Sequence, residues 1–92
     1  MTIWKYELEI TDEQTLVMPQ GAKFLSAQNQ NEKACLWAMV EPSNAKEVRR
    51  LRLFGTGHPV PADASMEHLG TFPLKGGELI FHLFEVTSTV AT

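Results

Sequence analysis

The N-terminal segment Ile3–Ile10 alternates between two kinds of side chain. Apolar residues occupy one parity and mostly charged residues the other: Trp4, Tyr6, Leu8 and Ile10 against Ile3, Lys5, Glu7 and Glu9. A period of two is typical of a strand with one face buried. The polar turn Thr11–Glu13 and the short apolar run Gln14–Met18 come next, and they predict a second strand that pairs back on the first as a hairpin.

The next part of the chain predicts a central strand. Pro19-Gln20-Gly21 is a turn, Lys23–Gln28 is a strand, and the polar run Gln28–Glu32 is the turn after it. The segment Ala34–Val40 carries apolar side chains on both parities, which favours a strand that is covered on both faces. We therefore expect Ala34–Val40 to lie in the middle of a sheet.

After the break at 42–44, the sequence favours a strand over a helical turn. The segment Ala45–Arg50 is compatible with one turn of helix, but arginine then alternates with leucine up to Phe54. This alternation predicts a strand that ends at Phe54. Residues 55–68 contain two glycines and two prolines and form the longest irregular segment, where binding groups often concentrate.

Two final strands, Leu69–Leu74 and Glu78–Val86, flank the pair Gly76-Gly77, which is a strong hairpin signal. We expect a polar, frayed tail at 87–92. The predicted fold is all-β and mainly antiparallel, a small sandwich or partly closed barrel of about seven short strands, with one β domain over 1–86. The strand Glu78–Val86 is apolar on both parities, so one of its faces is expected to meet another subunit and make a homo-oligomer.

Composition narrows the expected environment and partners. The chain has 92 residues, of which 43% are hydrophobic, and a formal charge of −3, which disfavours general binding to nucleic acid or anionic lipid. A single cysteine, Cys35, excludes an intrachain disulfide framework and favours a reducing compartment. We see neither a signal peptide nor an apolar run of the ~20 residues that a membrane-spanning helix requires, so we expect a soluble cytoplasmic protein.

The segment Gly55-Thr56-Gly57-His58-Pro59 is the first candidate binding site. Successive backbone N–H groups here are able to form a nest for a phosphate or carboxylate, with Thr56 and His58 adding side-chain donors. The alternative is that the glycines only allow a tight exit from the preceding strand. The segment fits neither a P-loop, because no Gly-Lys-Ser/Thr follows, nor a dinucleotide fingerprint, because the third glycine is missing.

Three arginines, Arg49, Arg50 and Arg52, precede this loop, and Arg50 and Arg52 share a strand face. They are candidates for pairing with an anion held at the loop. The alternative is a solvated strand face or a guard against edge-to-edge aggregation. The predicted binding residues are thus Thr56, Gly57, His58, Arg50 and Arg52, with Thr56 and His58 as the direct contacts.

The remaining reactive side chains predict no catalytic residue, metal site or cofactor. The three histidines and Cys35 lack the spacing of zinc ligands, and His82 alternates with apolar neighbours in a strand. Cys35 has apolar neighbours, so we expect a small buried side chain rather than a nucleophile. The acidic residues fall in turns or on outward faces, which gives no paired-carboxylate site.

Several short motifs resemble a family of short uncharacterised proteins encoded by bacteriophages and prophages. They are Trp4-Lys5-Tyr6, Met18-Pro19-Gln20-Gly21-Ala22, Leu36-Trp37-Ala38, Gly55-Thr56-Gly57-His58-Pro59, Gly70-Thr71 and Phe81-His82-Leu83-Phe84-Glu85. The resemblance implies a bacterial host cytoplasm and transfers no catalytic residue. We expect a non-catalytic accessory protein that binds a host protein or a small anionic ligand. The alternatives are a minor virion or assembly component and a small enzyme that uses His58.

Overall fold

The computed structural model describes residues 1–62 and 64–87, which form seven strands. They contain one short 3-10 turn at Lys75–Gly77 and no α-helix. The strands are β1 Thr2–Glu7, β2 Glu13–Pro19, β3 Lys23–Gln30, β4 Lys33–Val40, β5 Lys46–Gly55, β6 Met66–Leu74 and β7 Leu79–Val86. The all-β prediction is confirmed, and the segment that was compatible with a helical turn belongs to β5.

The strands form two antiparallel sheets that pack face to face. The three-stranded sheet has the order β1-β4-β3, and the four-stranded sheet has the order β2-β5-β7-β6. The sheets do not close into a barrel, so of the two predicted architectures the sandwich is the one adopted. The central position predicted for β4 is confirmed, since it lies between β1 and β3.

The predicted hairpin between the first two strands is wrong. β1 pairs with β4, where Trp4 lies opposite Ala38, whereas β2 pairs with β5 in the other sheet. The connection 8–12 carries the chain from one sheet to the other: Leu8 N–H donates to Ala34 O, and Asp12 O accepts from Leu53 N–H. Alternation reveals which side of a strand is buried but not which strand lies beside it, and a two-sided apolar strand such as β4 accepts partners from anywhere in the chain.

The core lies between the sheets and consists of one inward face from each. Its most enclosed side chains are Phe72, Met18, Leu36, Leu51 and Leu83. Burial of such side chains contributes roughly 1.5–3 kcal/mol each, so this layer supplies the main driving force for folding. The buried side chains of the core form two clusters, and Tyr6, which is half-buried, packs against both of them.

The two sheets approach most closely where β3 meets β6. A Cβ on Gly70 would lie only 2.5 Å from Ala27 Cβ and 3.0 Å from Ala27 O. Both strands are irregular near this contact, with register shifts between Phe24 and Ser26 and between His68 and Gly70. Asn29 Nδ2 also donates to Pro73 O at 2.9 Å. The absence of a side chain at Gly70 is therefore what allows the sheets to touch.

The hairpin between β6 and β7 is confirmed, and Gly76 and Gly77 have φ of 64° and 94° in its turn. The irregular segment before it is shorter than predicted, because β6 already begins at Met66. The predicted limits of the domain and its tail stay a prediction, since 88–92 lie outside the described residues. Within 1–62 and 64–87, no helix has the length and apolarity needed to cross a membrane.

Candidate functional site on the outer face of the four-stranded sheet

The side of the four-stranded sheet that points away from the core carries a connected set of polar and aromatic side chains. Residues directly opposite in an antiparallel ladder share a face. In one row, Phe84 lies between Arg52 and His68, and in the next, His82 lies between Phe54 and Thr71. We call this surface the outer face and define it by Glu13, Thr15, Arg50, Arg52, Phe54, Thr56, His68, Thr71, His82 and Phe84.

Two histidines and two threonines form a hydrogen-bonded cluster on the outer face. Thr56 Oγ1 lies 2.8 Å from His82 Nε2. Thr71 Oγ1 lies 3.4 Å from both His82 Nδ1 and His68 Nε2. A hydroxyl can donate or accept, so the threonines can serve either tautomer of the histidines. The cluster therefore contains several polar groups that can each donate or accept a hydrogen bond.

Aromatic contacts connect this cluster to the arginines. The rings of His68 and Phe84 lie 5.2 Å apart, and those of Phe84 and Phe54 lie 5.7 Å apart, both edge-to-face. The guanidinium of Arg52 stacks on Phe54 at 4.8 Å from the ring centroid. Edge-to-face rings and stacked guanidinium groups are favourable geometries that limit side-chain motion. These contacts join the aromatic rings and Arg52 to the histidine and threonine cluster.

The structure places the predicted site residues in two locations. Arg50, Arg52 and Thr56 lie on the outer face, at the arginine end and the threonine end respectively. His58 lies on the opposite side of the sheet, because its ring covers the inward side of Gly55, 3.0 Å from where a Cβ would stand. Gly57, with φ of 88°, is in the exposed turn between them. The predicted grouping of His58 with the arginines is not formed.

Two backbone N–H groups of the predicted anion nest at Gly55–Pro59 already donate hydrogen bonds within the protein. Thr56 N–H donates to Ile80 O, and His58 N–H donates to Gly55 O. The shallow clefts beside His58 are also lined by the carboxylates of Asp12 and Glu78, which repel anions. No hydrogen bond joins the His58 ring to either carboxylate among the described residues. These contacts favour the alternative interpretation, in which the glycines serve the turn.

The arginine run divides between the two sides of β5. Arg50 and Arg52 point outward, but Arg49 points between the sheets, contrary to the interpretation of the whole run as a solvated face. Its guanidinium binds both carboxylate oxygens of Glu85 and donates to Ala22 O at 2.9 Å. The hydrogen bonds to Glu85 raise the pKa of Arg49 above its ordinary value. The guanidinium of Arg49 therefore makes its hydrogen bonds within the protein and is not a candidate for binding an external anion.

A comparison with known families identifies a relationship over the whole chain. A family described as "Domain of unknown function (DUF7352)" matches residues 1–92. The chain belongs to this family. No curated protein and no solved structure gave a match. The expected membership of an uncharacterised family is confirmed, and the bacteriophage setting stays a prediction.

The other reactive groups occupy separate positions in this domain. Cys35 is 1% exposed in β4, which confirms the prediction of a small buried side chain. The rings of His68 and His82 lie 6.4 Å apart. Across 1–62 and 64–87, no three side chains of His, Cys, Asp or Glu are grouped as a metal site would need.

Sequence reasoning missed His68, Thr71, His82, Phe54 and Phe84 as a group. Part of the signal was visible, because the alternation of β7 puts His82 and Phe84 on one face. The missing part is the irregularity between His68 and Gly70. It brings His68 and Thr71, whose parities differ, to the same face of the sheet. An extra residue in a strand leaves no clear mark in one sequence.

Proposed function

We propose that this domain is a non-catalytic binding protein that docks a partner protein on its outer face. The observation that carries the proposal is the connected cluster from Thr56 and His82 to Phe84 and Arg52, held by hydrogen bonds and ring contacts. The three-stranded sheet covers the other side of this sheet and leaves the outer face open. Histidine, aromatic and arginine side chains are groups on which protein interfaces commonly depend.

The charge of the outer face indicates what kind of partner it suits. The chain as a whole is acidic, yet this face carries two arginines against one carboxylate, Glu13, and its two histidines add hydrogen-bonding groups. A partner with exposed carboxylates or carbonyl groups would complement these donors and would be steered toward them. The outer side of the three-stranded sheet also carries lysines, but Lys5 already binds Gln30 and Lys33 pairs with Glu7.

The resemblance to phage and prophage proteins supports a setting for this activity. We propose that the partner is a bacterial host protein and that the domain acts in the host cytoplasm as an accessory factor. Two N–H groups of the predicted anion nest at Gly55–Pro59 already make internal hydrogen bonds. This favours a protein partner over a small anion bound at that loop.

The proposal is tested by affinity capture from lysate of infected bacteria with three baits. These are the parent chain, Thr71→Glu in the histidine and threonine cluster of the outer face, and Gln28→Glu on the outer side of the three-stranded sheet. Thr71 and Gln28 are both exposed and lie on edge strands, so the two substitutions are matched in charge and position. We expect a host protein that the parent and Gln28→Glu retain and that Thr71→Glu loses. Equal retention by all three baits would show that the outer face is not the docking surface.

In the predicted homo-oligomer, a second copy of this chain would cover the same side of the sheet, because Ile80, Phe84 and Val86 of β7 all point outward. Light scattering at micromolar concentration distinguishes the two cases. A dimer that Thr71→Glu converts to a monomer, without any captured host protein, would replace the partner protein by a second copy of this chain.

A further inference from the structure

A cleft on the arginine end of the outer face has the features of a site for one carboxylate. It has a volume of about 280 Å³ and is lined by Glu13, Thr15, Arg50, Arg52 and Val86, with Gln14 and Leu51 beneath them. In the ladder, Arg50 lies opposite Thr15, and Arg52 lies opposite Glu13. Both arginines and Thr15 therefore line a single depression on the sheet.

Arg52 has donor capacity that the fold does not use. Its Nε is buried and has no hydrogen-bond acceptor among the described residues. The nearest carboxylate atom in the cleft, Glu13 Oε1, lies 3.7 Å from Nε, beyond hydrogen-bond distance. A buried donor without an acceptor is costly, and native structures seldom leave one. An oxyanion that takes the place of the Glu13 carboxylate beside Nε would supply the missing acceptor.

Arg49 differs from Arg52 in that its side-chain donors have acceptors within the protein. Arg49 uses Nε, Nη1 and Nη2 for Glu85 and Ala22 O. Arg52 instead has its Cζ 4.8 Å from the centroid of the Phe54 ring. A guanidinium is a planar fork that can make two parallel hydrogen bonds to one carboxylate.

Charge distinguishes between classes of ligand. The volume of about 280 Å³ lies just below the range of about 300–1,000 Å³ that is usual for whole small molecules, and it is large enough for one side chain. Two arginines beside one glutamate leave a single uncompensated positive charge. That charge matches one carboxylate, whereas a phosphate group carries about −1.5 to −2.

We propose that Arg50 and Arg52 bind an aspartate or glutamate side chain of the partner protein. This inference rests on the proposed function for its occupant, but the cleft itself can be tested without the partner. Glu13 partly occupies the entrance, yet its side chain is 70% exposed, and such a solvated pair holds little energy. A carboxylate of the partner can therefore displace it.

The test is a titration of the parent chain followed by NMR of the arginine Nε–H groups, of which the chain has only three. The probe is the blocked tripeptide acetyl-Gly-Asp-Gly-amide, with acetyl-Gly-Asn-Gly-amide, inorganic phosphate and chloride at equal ionic strength as controls. We expect the Arg52 signal to shift and saturate with the aspartate peptide only. The Arg49 signal should stay fixed, because its donors are already used.

Two conservative variants sharpen the result. Glu13→Gln should tighten peptide binding roughly two- to fivefold, because it removes a competing carboxylate. Arg52→Lys should weaken binding while keeping the charge, because lysine cannot make the fork. An Arg52 signal that stays still, or that moves equally with the asparagine peptide or chloride, would overturn the site. A stronger response to phosphate would overturn its assignment to a carboxylate.

Failure of the cleft and failure of the docking surface can be told apart. A peptide that shifts Arg52 while Thr71→Glu still retains every captured protein would leave the cleft standing and remove the proposed function. If Thr71→Glu loses a host protein but the peptide does not shift the Arg52 signal, the proposed function stands and the carboxylate site is wrong.

Discussion

Arg49 and Glu85 form a two-pronged ion pair at the boundary between the two sheets. The side chains are only 17% and 12% exposed, and Arg49 also stacks on Phe24 at 4.6 Å. The pair joins β5 to β7, and through Ala22 O and Phe24 it reaches the start of β3. Removing one partner of such a pair is strongly destabilising, because it leaves a charge unpaired in an enclosed site. Replacing both partners by apolar side chains often costs little stability.

We therefore expect Arg49→Met to destabilise the protein by about 2–4 kcal/mol, because it leaves the Glu85 carboxylate without its partner in a mostly enclosed site. The double variant Arg49→Met/Glu85→Leu should recover most of that loss by removing both charges. Urea unfolding measures both free energies. A single variant within about 0.5 kcal/mol of the parent would show that the pair is effectively solvated.

The contact between Gly70 and Ala27 gives a second prediction. Gly70→Ala should cost about 1–3 kcal/mol, because the new methyl group meets Ala27 Cβ and forces β3 away from β6. Adding Ala27→Gly should restore part of the stability, because Ala27 O remains 3.0 Å away. Thr71→Ser, one residue along the same strand and exposed, keeps the hydroxyl group and is the control, which should change little. If Gly70→Ala is as stable as this control, the sheets are not in tight contact there.

Tyr6 is the only tyrosine, and its hydroxyl is buried without a hydrogen-bond partner among the described residues. Burial raises its pKa above the ordinary value of 10.0. Because the folded state holds this proton more tightly than the unfolded state, the associated stability is complete below pH 10 and is lost as pH rises through the folded-state pKa.

Tyr6→Phe should keep or raise the stability at neutral pH, by up to about 1 kcal/mol, since it removes an unsatisfied hydroxyl. It should also lose less stability than the parent in alkali. Unfolding by urea at neutral and alkaline pH tests both statements, and tyrosinate absorbance reports the ionisation of Tyr6 alone. A Tyr6→Phe variant that is clearly less stable at neutral pH would indicate that the hydroxyl has an acceptor.

The outer face yields a prediction that separates two histidines. His82→Ala should weaken binding of the captured partner roughly five- to tenfold, because it removes polar contacts at the centre of the surface. His58→Ala should leave the affinity nearly unchanged, because His58 lies on the opposite side of the sheet. Isothermal titration with the purified partner measures both affinities. The reverse order of effects would return the site to the turn at Gly55–Pro59.

Much of the fold follows from the period of the hydrophobic pattern, but the pairing of strands does not. The strand at Trp4–Tyr6, the central β4 and the Gly76-Gly77 hairpin are all properties of local sequence. The partner of β1 depends instead on which apolar face offers the best packing across the whole chain. Leu8 N–H finds Ala34 O, which is 26 positions away and which no local pattern identifies.

The candidate site was only partly predictable for a related reason. Arg50 and Arg52 were identified from alternation, and Thr56 from its glycine neighbours. His58 shares that local motif, yet the turn directs its ring to the far side of Gly55. The irregularity before Gly70 then supplies His68 and Thr71 from another strand. A surface assembled from four strands depends on register, which local sequence does not encode.

Site-specific photo-crosslinking in infected bacteria tests the outer-face account most directly. A photoreactive amino acid replaces Thr71 in one variant and Gln28 in a matched variant, so that each outer sheet surface reports its own neighbours. The account predicts a specific crosslink to a host protein from position 71, absent from position 28 and suppressed by excess unlabelled parent chain. A crosslink from position 28 alone, or none that the parent chain suppresses, would contradict it.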